Sequence, residues 1–157
     1  MSEFRDLAQA FLAHQRLAVV GVSREGGAHT GNAIYQALQK GGYQVFPVNE
    51  QAEEIEGAPC YHHVYEIPGG VEGVVIVTRP EAALEVVKDC EQAGVKSVWM
   101  HYNPLFGAGS SSSNPEAAAY GREHGMQVID LACPLMFMDT AHKCMRVVLE
   151  WMGKVPR

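Results

Sequence analysis

Cysteine is scarce and unpaired in this sequence. Its four cysteines, Cys60, Cys90, Cys133 and Cys144, show no C-x-x-C spacing. That fits free thiols better than a disulfide framework. No apolar run approaches the ~20 residues that span a bilayer. The opening stretch, MSEFRDLAQAFLAHQ, mixes charges with apolar residues at helical spacing. It lacks the unbroken apolar core and small-residue cleavage site of a secretory signal. The expectation is a cytoplasmic protein with no membrane attachment. Positive charge is short as well. Twelve Lys and Arg stand against eighteen Asp and Glu, for a net charge of -6. Nucleic-acid binders usually carry the opposite excess, so no nucleic-acid partner is expected. The seven histidines contain no H-x-x-x-H pair. His62 and His63 are adjacent and would face opposite sides of an extended chain. They read as a polar surface loop, and no metal site is expected.

What is present is a globular composition, 157 residues with 47% hydrophobic, sufficient for one core. Residues 1–157 read as a single domain. The apolar period switches repeatedly between helix and strand. Residues 3–14 form an N-terminal amphipathic helix. LAVVGV (17–22) is a short buried strand. Residues 31–40 return to helix and are stopped by Gly41 and Gly42. YQVFPV (43–48) and GVVIV (73–77) are the next strands. A helix led by Pro80 ends at Gly94, KSVWM (96–100) is a fourth strand, and Asn114 caps a helix that ends at Gly125. MQVIDL (126–131) is a fifth strand. A C-terminal helix follows Asp139 or Thr140, with Ala141, Met145, Val148, Leu149 and Met152 inward. Residues 53–72 show no period and predict an irregular crossover. HYNPLFGAGSSSS (101–113) is a second long loop. Strands this apolar are covered on both faces. The alternation predicts an α/β fold, a Rossmann-like doubly wound parallel five-stranded sheet with helices on both faces.

In such sheets ligands sit beyond the carboxyl ends of the strands, which directs attention to LAVVGVSREGGAHTGN (17–32). Gly21 lets backbone approach a ligand, while Gly26, Gly27 and Gly31 permit unusual dihedrals. The helix beginning near Gly31 or Asn32 offers unpaired N–H groups to an anion, and Arg24 adds charge. Ser23 stands where the dinucleotide pattern G-x-G-x-x-G has its second glycine, and no Lys-Ser or Lys-Thr pair completes a P-loop.

These residues resemble a known family. The run from Leu17 to Asn49, then EEIEGAPCYHHVYEIPGG and TRPEAALEVV, then the tryptophan strand and NPEAAAYGREHGMQVID, is similar to the small CoA-binding domain proteins. These are in turn similar to the N-terminal domain of the succinyl-CoA synthetase α subunit. The resemblance covers roughly residues 10–133. It implies coenzyme A as ligand. It places the CoA phosphates at Gly21, Val22, Ser23, Arg24 and Asn32, the adenosine end at Val48 and Asn49, and a further contact at Thr78, Arg79 and Pro80. Two departures stand out. Asn49-Glu50-Gln51 has no lysine where relatives often carry one, and Glu50 would suit a ribose hydroxyl. His101 and a longer loop replace a glutamine and a short glycine turn.

The synthetase subunit uses a phosphorylated histidine on a second domain, and no such domain is expected in these 157 residues. The resemblance therefore implies binding without catalysis, and no catalytic residue is assigned. Two alternatives stay open: an NAD(P)-binding module or oxidoreductase on the same fold, and a small thiol enzyme acting on CoA esters through Cys133. The first is weakened by Ser23. The second requires a lowered thiol pKa, whereas free cysteine is more often a core residue. His101 and Tyr102 either line the crevice or merely begin a loop. A homodimer or another protein partner remains open.

Overall fold

The computed structural model describes residues 3–25, 29–104, 111–138 and 140–154; for 140–145 it describes the backbone alone. Gly26, Gly27, Asp139 and the side chains of Ala141 and Met145 lie outside the described residues, as does the middle of the loop 101–113. Five parallel strands form the sheet, in spatial order β2 (Gln44–Val48), β1 (Arg16–Val20), β5 (Gly73–Ile76), β6 (Ser97–Met100) and β7 (Gln127–Ile129). Val20 pairs with Val48 on one side and Ile76 on the other. The chain runs outward from β1 to β2, then crosses back to β5 on the opposite side. That reversal opens a crevice beyond the carboxyl ends of β1 and β5. The predicted doubly wound Rossmann-like architecture is observed.

Strand alternation sends consecutive side chains to opposite faces, and two cores result. Leu17, Val19, Val75, Trp99 and Ile129 face one way, packing with Phe11 of α1 (Glu3–Leu12) and with Ile34 and Leu38 of α2 (Thr30–Lys40). Ala18, Val20, Val74, Ile76, Val98 and Met100 face the other way. They are covered by Ala83 and Val87 of α3 (Pro80–Gln92) and Ala117 of α4 (Pro115–Glu123). Trp99 is fully buried. Its indole N–H donates to the Ala132 carbonyl at 2.8 Å, and Phe11 and Phe137 meet its ring edge-on at 5.4 and 5.6 Å. Truncating such an anchor to alanine costs about 3–5 kcal/mol. Asn114 caps α4 as expected, its Oδ1 accepting from the N–H groups of Glu116 and Ala117.

The structure corrects several expectations. β1 stops at Val20 rather than at residue 22, because Gly21 turns the chain with φ +101°. β7 likewise ends at Ile129, and Asp130 pairs with Arg122 at 3.5 Å. The crossover 53–72 is not wholly irregular. It holds a tight antiparallel hairpin, β3 (Glu54–Ile55) with β4 (Ala58–Pro59), and a 3-10 turn at Val64–Glu66. The hairpin turn uses two positive φ values, 50° at Glu56 and 80° at Gly57. Two-residue strands are too short for an apolar period to register. On α5 (Thr140–Trp151), Leu149 is buried but Val148 is 53% exposed. Met152, just past the helix, is 54% exposed. The helix is rotated so that Leu149 and Glu150 face inward, and Arg5 of α1 holds Glu150 at 2.8 Å. Trp151 is 80% exposed.

Candidate functional site

The turn after β1 packs against two other backbone segments, the chain after β5 and the start of α2. A Cβ on Gly21 would lie 2.3 Å from the Val77 carbonyl oxygen, and one on Gly31 would lie 2.5 Å from the Gly21 carbonyl oxygen. The result is a floor of bare backbone with a helix N-terminus set against it. His29 occupies the N-cap of α2 with extended backbone and no side-chain capping bond. The first N–H groups of the helix are therefore not capped by that residue. α3 begins nearby in the same manner, with Arg79 at its N-cap, no side-chain cap, and Pro80 leading.

A groove in two lobes runs over this floor. The larger has a volume of 630 Å³. Its walls are the ends of β1 and β2 (Val20, Val48, Asn49, Glu50), the chain at His62 and His63, and one face of α3. Ala82, Glu85, Val86 and Asp89 supply that face, the i, i+3, i+4, i+7 set of a helix. The smaller lobe has a volume of 290 Å³ and is lined by Ser23, His29, Thr30, Gly31, Pro80, His101, Ser111 and Ser112 among others. Gly21, Thr78 and Arg79 line both lobes and mark where they join.

Of the residues singled out from the sequence, seven converge on this groove: Gly21, Ser23, Val48, Asn49, Thr78, Arg79 and Pro80. Three take other places. Val22 is fully buried in the core. Asn32 is 1% exposed and lies under the loop, where its Oδ1 accepts from Ser23 N at 2.9 Å and its Nδ2 donates to Ser23 O at 3.0 Å. Arg24 is exposed and donates to the Gln51 carbonyl at 3.1 Å, joining the first loop to the chain after β2. Asn49 ties the same two segments from below, donating through Nδ2 to the Val22 carbonyl at 2.8 Å.

The structure also brings in residues that sequence reading assigned elsewhere or passed over. His62 and His63 are wall residues of the larger lobe rather than a plain surface loop. They face different partners, as adjacent residues on extended chain should. His62 meets Glu53 at 2.9 Å and His63 meets Asp89 at 2.8 Å. The Asp89 hydrogen bond holds the His63 pKa above its ordinary value, and the nearby Glu66 and Glu50 charges add to this. Ser111 and Ser112 return across the strand ends. Ser112 N donates to the His101 carbonyl at 2.7 Å, and its hydroxyl donates to the Thr78 carbonyl. His101 is 4% exposed and lines the smaller lobe. Burial holds its pKa below the ordinary histidine value. Helical spacing along α3 was the one available signal for Glu85 and Asp89. The serines carried none, because a loop has no period.

Cys133 is buried, 6% exposed, and lines neither lobe. Burial pushes its thiol up to about 11, against the lesser opposing effect of two backbone N–H contacts. That is the reverse of what a nucleophilic cysteine needs. Among the described residues no cluster of three or more His, Cys, Asp and Glu is arranged to hold a metal ion. No helix among them is long and apolar enough to cross a membrane.

Fold and groove together define a Rossmann-like α/β domain with an open groove at its topological switch point. Residues 15–139 match the family described as the CoA binding domain, and the chain belongs to that family. It is 28% identical over 126 residues to the alpha subunit of ADP-forming acetate–CoA ligase II of Pyrococcus furiosus, which covers 78% of this chain. The chain spans only 27% of that subunit's length. It is 29% identical over 119 residues to YneT of Bacillus subtilis, covering 76% of this chain and 82% of that protein. Among solved structures, a hypothetical protein from Pyrococcus horikoshii superposes with a TM-score of 0.75 at 27% identity. That match covers 87% of this chain and 92% of the other.

Proposed function

We propose that the chain binds coenzyme A or an acyl-CoA along the two-lobed groove and performs no chemistry of its own. In this reading the diphosphate rests on the bare backbone at Gly21, at the N-terminus of α2, with Arg79 beside it. The adenosine occupies the larger lobe and the pantetheine arm the smaller one. The observation that carries the reading is the junction itself. Gly21 and Gly31 let the turn after β1 pack backbone to backbone with the chain after β5 and with the start of α2, and Arg79 lines both lobes that meet there. That combination favours a bound phosphate through unpaired N–H groups, the helix dipole and charge-assisted hydrogen bonds. Membership of the CoA binding domain family supports CoA as the nucleotide. The binding-only reading is supported by the Cys133 thiol, raised to about 11 and away from the groove.

Calorimetric titration with CoA, dephospho-CoA and NAD tests the assignment. CoA should bind well above NAD. Equal or tighter NAD binding would replace the reading with the dinucleotide alternative. Native mass spectrometry of freshly purified protein gives an independent check, since a tightly held CoA would travel with the chain.

A further inference from the structure

The last helix, α5, is turned inside out. From Arg146 to Met152 the exposed residues are Val147, Val148, Trp151 and Met152, and all of them are apolar. The charged residues of this stretch point the other way. The Glu150 side chain is 9% exposed and meets Arg5 of α1 at 2.8 Å. Arg146 approaches Glu150 at 3.4 Å and lays its guanidinium over the Phe137 ring at 4.6 Å. At about 100° per residue, the four apolar positions form one stripe on the side away from Arg146 and Glu150. An ordinary surface helix does the reverse and keeps its charges in water. The ion pair fixes this rotation, because turning the helix to bury the stripe would pull Glu150 away from Arg5. A contiguous apolar patch of this kind on a folded surface marks a contact site.

Charge, symmetry and area name the occupant. The stripe offers no charged group to a lipid headgroup or a nucleic-acid phosphate. The chain has a net charge of -6, so two copies repel over much of their surface, and an uncharged face is where they meet at least cost. A two-fold axis across α5 sets the helix antiparallel to its mate. Trp151 of each copy then lies toward the Val147–Val148 end of the other, and the helix dipoles oppose favourably. The stripe can withdraw about 350 Å² of apolar surface per copy, with Trp151 the largest share. One side of a standard interface holds about 450 Å² of apolar area. The stripe supplies most of that and places the pair in the weak, exchanging class. We infer that α5 is the interface of an isologous homodimer, in which two copies of this chain pair antiparallel along the stripe Val147, Val148, Trp151 and Met152. The dissociation constant should fall at about 1–100 µM. No described residue of α5 lines either lobe of the groove, so the pairing does not depend on the CoA reading.

Sedimentation velocity tests this on the full chain. Between about 1 and 200 µM the wild-type mass should rise from one chain to two. Trp151→Glu and Trp151→Lys should both stay single throughout. They move the net charge in opposite directions, so a shared loss belongs to the face and not to overall charge. Val148→Glu should act in the same way from the other end of the stripe. At low concentration, where the wild-type chain is itself single, the variants should unfold at the wild-type temperature, because each changes an exposed residue. A measurement on the wild-type chain does not depend on the variants folding. Trp99 is fully buried, so a concentration-dependent change in tryptophan emission reports on Trp151. Dilution across the same range should shift the emission to the red as Trp151 returns to water. A single-chain mass at every concentration overturns the inference. So does a dimer that survives both Trp151 substitutions, which puts the interface elsewhere, or a mass that keeps growing past two chains, which is unspecific association.

Discussion

Asn32 grips the backbone of Ser23 from beneath, accepting from its N–H at 2.9 Å and donating to its carbonyl at 3.0 Å. The first turn of α2 thereby holds the loop that forms the groove floor. A buried amide satisfied at both ends acts as a template for the loop, and no main-chain partner within the helix could replace it.

Replacing Asn32 with leucine keeps the volume and leaves both Ser23 groups without their partner. Stability should fall by about 1–3 kcal/mol, the penalty for stranded polar groups, as read by chemical denaturation. CoA affinity should fall with it, because the floor loses its template. Full stability together with full affinity would show that the loop holds its shape unaided.

Arg79 lines both lobes, whereas Arg24 reaches the Gln51 carbonyl. Arg79→Ala should weaken CoA by roughly 1–3 kcal/mol, typical of a hydrogen bond to a charged group. Arg24→Ala should cost less, acting through the loop it tethers. Calorimetry at two salt concentrations checks this, since the loss at Arg79 should shrink as salt rises. A larger loss at Arg24 would reverse the assignment of the two roles.

The larger lobe is lined by three carboxylates, Glu50, Glu85 and Asp89, against the single guanidinium of Arg79. A 3′-phosphate placed there meets net repulsion. Glu50→Gln should strengthen CoA by about threefold, on the scale of one screened charge pair, and change dephospho-CoA less. Equal changes for the two ligands would place the 3′-phosphate outside this lobe.

The His63–Asp89 pair ties the Val64–Glu66 turn to α3 and carries a pH signature. The folded His63 pKa is raised above the ordinary 6.5 by its Asp89 hydrogen bond. Its contribution is therefore fully present below pH 6.5 and is lost as the pH rises through the folded value. The stability difference between wild type and His63→Asn should be larger near about pH 5.5 than near about pH 8.5. A difference that does not change with pH would mean that the pair is held by neutral hydrogen bonding alone.

Much of the sheet was legible in the chain before any coordinates. GVVIV and the VWM of KSVWM are uninterrupted apolar runs because helices cover both faces, and the glycines after residues 40, 93 and 124 mark helix ends. The gap lay where elements are shorter than one period, as in the β3–β4 hairpin. It also lay on α5, where a long-range ion pair from Arg5 chooses the rotation. At the site, the residues close in sequence to strand ends were readable: Gly21, Val48, Asn49, Thr78 and Arg79. The α3 face carried only its helical spacing, and the Ser111–Ser112 return carried no pattern at all, because it reaches the groove through packing.

The sequence by itself determined the layer order of the domain, the site of the first crossover and the glycines that crossover needs, since these follow from apolar period and backbone sterics. Only the tertiary structure decided which side chains line the groove. It set Asn32 beneath the loop and Arg24 against Gln51, and gathered three carboxylates in one lobe. Those placements depend on how separate segments meet, and contact between distant residues leaves no periodic trace in a single chain.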